Sequence, residues 1–343
     1  MMNLRQNKIL GSLLGGAVGD SMGAVTEHTS RRILEERYGF ITEIIEPHER
    51  LRKHGHVRGL VTDDFSVAYY SAQPMIENKC HVNFELAKEG LLRWNSDPRY
   101  SNCAGPTTIV AINKLKGIAP PPSKLDKVLC INSRVTNGGG MKSGIIGLFN
   151  PNDMDRTIDE TITLCSLTHD NTLALSAACA ISAAVSKAFA DNCSYYDLIE
   201  AGIYGADEGY RRSLGKVRPV AGCNIAKKIA LAAQIGLDHQ DDPRKAMEEI
   251  ADIIGCGLYA YESIPAAFGY IAATKGQVMD SIYLAVNAGD DTDTVACMTG
   301  FITGAFCSAD MITPGLLELI DEVNGFDLRK TALAIDEIVE KGE

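Results

Sequence analysis

Apolar positions in this chain come in long runs of small residues rather than in alternation. That pattern predicts helices almost throughout. The run TLALSAACAISAAVSKAFA, residues 172–190, is the clearest. It is Ala-rich, about five turns long, and carries small residues on every face. A helix apolar all round belongs inside a helical protein. Further helices are expected over 155–167, 195–214, 243–254, 281–287, 294–306, 316–323 and 330–339. Pro243 after Asp241-Asp242 is a start signal. Asp170 or Asn171 is placed to cap the Ala-rich run. Strand-like alternation is scarce, so the expected fold is all-α, compact and built from many helices.

Glycine and proline punctuate these runs. Pro120-Pro121-Pro122 reads as a surface connector and Lys216 to Gly222 as a loop. Asn137-Gly138-Gly139-Gly140 reads as a turn, because three successive glycines hold no helix. There is no repeat of roughly 20 to 50 residues and no linker-like stretch, so residues 1–343 read as one domain.

Composition narrows the function classes. A net charge of -11, without a Lys/Arg block, argues against a nucleic-acid surface. The ten Cys show no CxxC pair. They read as small buried hydrophobes in a reducing cytoplasm. The apolar stretch 9–18 is broken by Gly11, Gly15 and Gly16 and ends at Asp20, which makes a poor signal peptide. No apolar run of about 18 residues is present, so no membrane span is expected.

Two acidic clusters carry the strongest chemistry. One is Thr62-Asp63-Asp64 and the other is Asp290-Asp291-Thr292-Asp293-Thr294, and both run into helix-like stretches. One such cluster alone reads as a helix cap. Capping uses one side chain per helix, however, and two helix starts with five Asp between them exceed that need. If the two starts meet in space, carboxylates and hydroxyls converge as hard divalent cations require. Helix N-termini are expected to hold those carboxylates at low pKa.

Three other segments stand out. Gly11, Gly15, Gly19 and Gly23 fall at four-residue spacing, so one helix face is bare backbone and tight helix packing is expected. Asp20 and Glu27 close that segment. Taken alone each reads as a solvated or capping carboxylate; together they sit where the lip of a site would lie. In Thr136-Asn137-Gly138-Gly139-Gly140-Met141-Lys142, clustered Gly exposes N–H groups that can cradle a phosphate or sugar oxygen. It lacks the P-loop pattern. His169-Asp170 precedes the Ala-rich run.

In order, GSLLGGAVGDSMGAVTE, TDDFS, TNGGGMK, THD and AVNAGDDTDTVACMTGFITGA resemble the signature blocks of the ADP-ribosylglycohydrolase family. YESIPAAFGYIAATKG, residues 261–276, is similar to the family's segment before the second cluster. The resemblance implies a compact orthogonal multi-helix fold with two Mg²⁺ or Mn²⁺ ions in a cleft. Thr62, Asp63, Asp64, Asp291, Asp293 and Thr294 would be metal ligands, and Glu27 the catalytic glutamate. Asn137, Gly138, Gly139, Gly140, Met141 and His169 would contact ribose and diphosphate. The implied reaction is hydrolysis of the N- or O-glycosidic bond of an ADP-ribosyl group, on a small ribosyl molecule or an ADP-ribosylated protein.

The chain departs from the family pattern at three places. Phe65 follows Asp64 where members have Thr or Ser, Asp290 stands for a second Gly, and Lys142 replaces an Arg. Asp20, Phe65 and Asp290 are therefore further candidates for the site. The departures leave room for an N-ribosidase acting on a nucleoside. A crystallin-like protein without activity and a di-metal phosphohydrolase also stay open.

Overall fold

The computed structural model describes residues 2–53, 55–118 and 135–342. Among these the chain forms 18 α-helices, and regular strand pairing amounts to one two-residue ladder. The Pro120-Pro121-Pro122 connector lies outside the described residues. Among the described residues no helix is long and apolar enough to cross a membrane.

The expected helices form close to their expected bounds because caps set them. Asn171 caps the Ala-rich helix Thr172–Lys187 by accepting from Ala174 N. Asp153 caps Met154–Cys165, Ser194 closes a capping box on Tyr195–Ser213, and Asp242 caps Pro243–Ile253. Toward the C-terminus, Val278–Asn287, Thr292–Cys307, Leu316–Asn324 and Leu328–Gly342 follow. The glycine-rich segment differs from the expected turn. Asn137–Gly139 is a single 3₁₀ turn, and Gly140 opens the helix Gly140–Phe149. Close neighbours hold glycine in this helix despite its propensity. A Cβ on Gly140 would sit 2.9 Å from Met298 Sδ, and one on Gly147 2.6 Å from the Ser182 carbonyl oxygen.

Three helices form the buried centre. Every residue from Thr172 to Ser186 is buried, as is every residue from Thr292 to Ala305 and from Ile9 to Gly23. The first helix, Leu4–Gly23, runs antiparallel to Thr292–Cys307, and the glycine stripe is the contact. A Cβ on Gly15 would lie 2.4 Å from the Gly300 oxygen, and one on Gly19 2.1 Å from the Ala296 oxygen. Gly300 and Gly304 reciprocate, each with 2.1 Å to the oxygens of Gly15 and Gly11. Backbone therefore meets backbone along several turns, and dispersion between close-packed atoms holds the pair. The antiparallel direction has a functional consequence. It brings the C-terminal end of the first helix, and Glu27 just beyond it, to the start of the helix that carries the second acidic cluster. A short ladder fastens this join: Thr29 pairs with Asp290 and Ser30 with Gly289.

Candidate metal centre and cleft

The first cluster opens the helix Asp63–Asn78. Thr62 is its N-cap, accepting from Asp64 N at 3.3 Å. A second acceptor comes from the first helix. The Asp20 carboxylate takes Thr62 N and Phe65 N, each at 2.8 Å. Asp20 is fully buried, so it does not form the lip of a site. It is the strut that fixes the first cluster to the first helix, and it frees Asp63 and Asp64 from capping duty.

The second cluster opens the helix Thr292–Cys307. Asp291 stands at the N-cap position, yet its side chain makes no capping bond. Its carboxylate is instead held by Asn137 Nδ2 and, at 3.1 Å, by Thr294 Oγ1. Asn137 is itself positioned by backbone, its N–H donating to the Leu258 carbonyl at 3.0 Å. Thr26 donates to Thr292 Oγ1 at 2.8 Å and Thr292 to the Gly23 carbonyl at 2.9 Å, which locks the Glu27 loop against this helix start.

Both clusters face one cleft of about 440 Å³. Its lining includes Glu27, Thr62, Asp63, Asp64, Asp290, Asp291, Asp293 and Thr294, together with Asn137, Gly138, Met141 and His169. Oxygens of Glu27, Asp291 and Asp293 all lie within 4.8 Å of one another. Among the described residues, no Lys or Arg lines the cleft.

Electrostatics here run opposite to the sequence expectation. Helix N-termini do not hold these carboxyls low. Burial first, then mutual repulsion, raises Asp63, Asp64 and Asp293 well above the ordinary range. Burial likewise raises Glu27 and Asp291, and it pushes Asp20 to about 7 against its backbone bonds. One oxygen of Asp64, Oδ1, is buried with no hydrogen-bond partner. Orphaned buried carboxylate oxygens are costly. An oxygen-rich acidic cleft containing one, with no Lys or Arg among its described lining residues, is a donor set of the kind Mg²⁺ or Mn²⁺ takes. The residues present therefore fit a hard divalent cation.

Not every candidate reaches the cleft. Phe65 is buried in an aromatic cluster, 5.6 Å from the Phe301 ring and 5.9 Å from the Phe326 ring. Gly139 and Gly140 pack against neighbouring helices, and Lys142 is buried beneath the glycine-rich segment, bonded to Thr168. His169 does line the cleft, but it is 1% exposed and both ring nitrogens are engaged, Nδ1 with Thr168 and Nε2 with Thr136. Asp290 does line the cleft, with φ of 67°. Glycine reaches that left-handed region without strain, so a Gly at this position would fit the backbone seen here. Sequence reasoning missed His56, which lines the cleft with Nε2 buried and unpartnered among the described residues, and the wall Cys103, Gly105, Pro106, Thr107 and Thr108. No motif marks them; only the approach of their segments to the clusters does.

The family model for ADP-ribosylglycohydrolase matches residues 1–342. The chain is 28% identical over 336 residues to the uncharacterized protein YegU of Escherichia coli K12, covering 97% of each. It is 26% identical to ADP-ribosylhydrolase ARH3 of Xenopus tropicalis, covering 91% of this chain and 90% of that one. With the Mus musculus ARH3 the identity is 21%, over 89% and 85% of the two chains. A solved structure described as an ADP-ribosylglycohydrolase-related protein complex superposes with a TM-score of 0.67 at 19% identity, over 98% of this chain and 100% of that one. At that identity the likeness shows the fold.

Proposed function

The chain belongs to the ADP-ribosylglycohydrolase family, and from that premise we propose that its acidic cleft is a binuclear Mg²⁺ or Mn²⁺ centre that hydrolyses the glycosidic bond of an ADP-ribosyl group. The observation that carries this reading is the convergence of Glu27 and both clusters on one cleft that has no Lys or Arg among its described lining residues, with Asp64 Oδ1 buried and unpartnered. Thr62, Asp63 and Asp64 would hold one side of the centre and Asp291, Asp293 and Thr294 the other. Two hard cations bound there supply charge that fixes ribose hydroxyls and acidifies water.

The chain's own residues do the rest. Cleavage builds oxocarbenium character at C1. Glu27 lies within 4.8 Å of Asp291 and Asp293 in the shared cleft, and its carboxylate accepts the proton of the attacking water. Asn137 keeps Asp291 oriented through its amide. The Gly138 and Met141 side of the cleft borders the space left for ribose and diphosphate. Phe65 is buried away from the cleft, so this departure does not alter its lining, whereas Asp290 does line it. The nine cysteines among the described residues are free, which supports a reducing, cytoplasmic location.

The test is product analysis. Protein loaded with Mg²⁺ or Mn²⁺ is given ADP-ribosyl-arginine, ADP-ribosyl-serine, O-acetyl-ADP-ribose and nucleosides. Release of ADP-ribose that is lost with EDTA and in Asp291→Asn supports the reading. Inorganic phosphate as product, or activity that survives both, contradicts it.

A further inference from the structure

We infer that the hydroxyl of Thr136 is a hydrogen-bond donor presented to the substrate, and that a buried relay from Lys142 through Thr168 and His169 sets its direction. The inference rests on the ADP-ribosyl reading for the identity of the acceptor, an oxygen of the ribose or diphosphate. The relay itself rests on geometry alone.

Lys142 Nζ lies 2.7 Å from Thr168 Oγ1, and both residues are buried. Burial lowers the Lys142 pKa; the relay takes the side chain as the ammonium, which has no lone pair, so that Thr168 accepts in this bond. The hydroxyl hydrogen of Thr168 is then free for one of two acceptors. His169 Nδ1 is at 2.8 Å and the Cys165 carbonyl at 3.4 Å, so the imidazole takes it. With Nδ1 accepting, a neutral imidazole carries its hydrogen on Nε2. Nε2 is 2.9 Å from Thr136 Oγ1 and donates to it. Thr136 lines the cleft, and with a lone pair occupied by His169 its own hydrogen is left for a ligand.

Two further observations support the relay. The His169 ring packs against Gly138, where a Cβ would sit 2.8 Å from Cε1, and both its nitrogens are engaged. Burial, aided by the charge of Lys142, lowers the His169 pKa to about 3, so the ring stays neutral at any physiological pH. Every bond in the chain therefore has one sense, and the glycine-rich segment contributes a hydroxyl as well as backbone N–H groups. Lys142, Thr168 and His169 are positioning residues; Thr136 is the one that meets substrate.

The first test is the long-range ¹H–¹⁵N spectrum of the ligand-free protein, with the His169 signal assigned by its loss in His169→Asn. A single Nε2–H tautomer is expected; an Nδ1–H tautomer overturns the relay. Lys142→Met removes the donor without leaving a buried unpaired charge, and it should let Thr168 accept from Nδ1–H, giving mixed tautomers. An unchanged tautomer in this variant also overturns it. The second test is kinetic. Thr168→Val should raise KM for the ADP-ribosyl substrate about three- to tenfold, the effect of one neutral hydrogen bond, with kcat within about twofold, and Thr168→Ser should restore KM. Equal losses in Val and Ser variants, or a fall in kcat with KM unchanged, overturns the role of Thr136. If no ADP-ribosyl substrate is cleaved, the spectrum still decides the relay, so the two readings fail separately.

Discussion

Gly19→Ala tests the packing that builds the site. In an isolated helix this change would stabilise by about 1 kcal/mol, because glycine is the poorer helix former. Here the new Cβ would lie 2.1 Å from the Ala296 carbonyl oxygen, whereas ordinary contact begins at 3.4 Å. The clash is with backbone, so no side chain can turn aside, and the two helices must separate by the difference, 3.4 − 2.1 = 1.3 Å. Overpacking costs about 1–3 kcal/mol. Contact along the whole glycine stripe puts this case at the upper end, leaving a net loss of about 2 kcal/mol after the propensity gain. Unfolding entropy near about 2.1 cal/mol/K per residue over 343 residues is about 0.7 kcal/mol/K, so Tm should fall by about 3 °C. The same separation displaces Glu27 from Asp291 and Asp293, so cation affinity falls with it. Calorimetry reads the first effect and Mn²⁺ titration the second. Gly105→Ala is the control for the calorimetry alone, since nothing lies within 4 Å of its Cβ position. A Gly19→Ala protein with unchanged or raised Tm would refute the reasoning.

Other outcomes follow from the same geometry. Asp290→Gly relieves a left-handed residue and should raise Tm by about 1–2 °C by calorimetry, since that conformation costs a non-glycine residue about 1–2 kcal/mol, less for Asp. Phe65→Ala should cost about 3–5 kcal/mol in denaturant unfolding by emptying the aromatic cluster, whereas Phe65→Leu should leave KM near wild type; a large KM change would place Phe65 at the substrate. Stability with EDTA should depend on pH in a defined direction. Asp20 is raised from 3.8 to about 7, so its burial penalty is absent below the lower value, grows between the two and is complete above the upper. The cation-free protein should therefore lose Tm on going from about pH 5 to about pH 8, and added Mn²⁺ should raise Tm more at the higher pH. A cation at about 100 times its Kd adds about 2.7 kcal/mol, or about 4 °C for a chain of this length.

The helical fold was legible because its signals are local. Asn171, Ser194 and Asp242 act as caps where their residue types predict, and the Ala-rich run is buried on every face. The glycine stripe announced close packing without naming its partner, which needed the reciprocal glycines Gly300 and Gly304. The acidic clusters were visible as an excess over capping, and Asp291 at an N-cap without a capping bond is the structural form of that excess. Side-chain direction was not legible. Phe65 and Lys142 sit beside site residues in sequence but point into the core, since neighbouring positions on a helix face different ways. Asp20 accepts from the N-cap residue of a helix, Thr62, 42 positions later, a link no local pattern contains. The sign of the carboxyl pKa shifts was misjudged because helix-end fields are worth at most about 2 kcal/mol, while full burial among like charges shifts pKa further.

The central claim is that two clusters 227 positions apart, at Asp64 and Asp291, form one two-cation site. Equilibrium binding of Mn²⁺ to protein stripped with EDTA tests it most directly, with Asp64→Asn and Asp293→Asn beside the wild type. The account predicts two Mn²⁺ per chain in the wild type and a reduced number in each variant. Absence of binding, or the same stoichiometry in all three proteins, would contradict it.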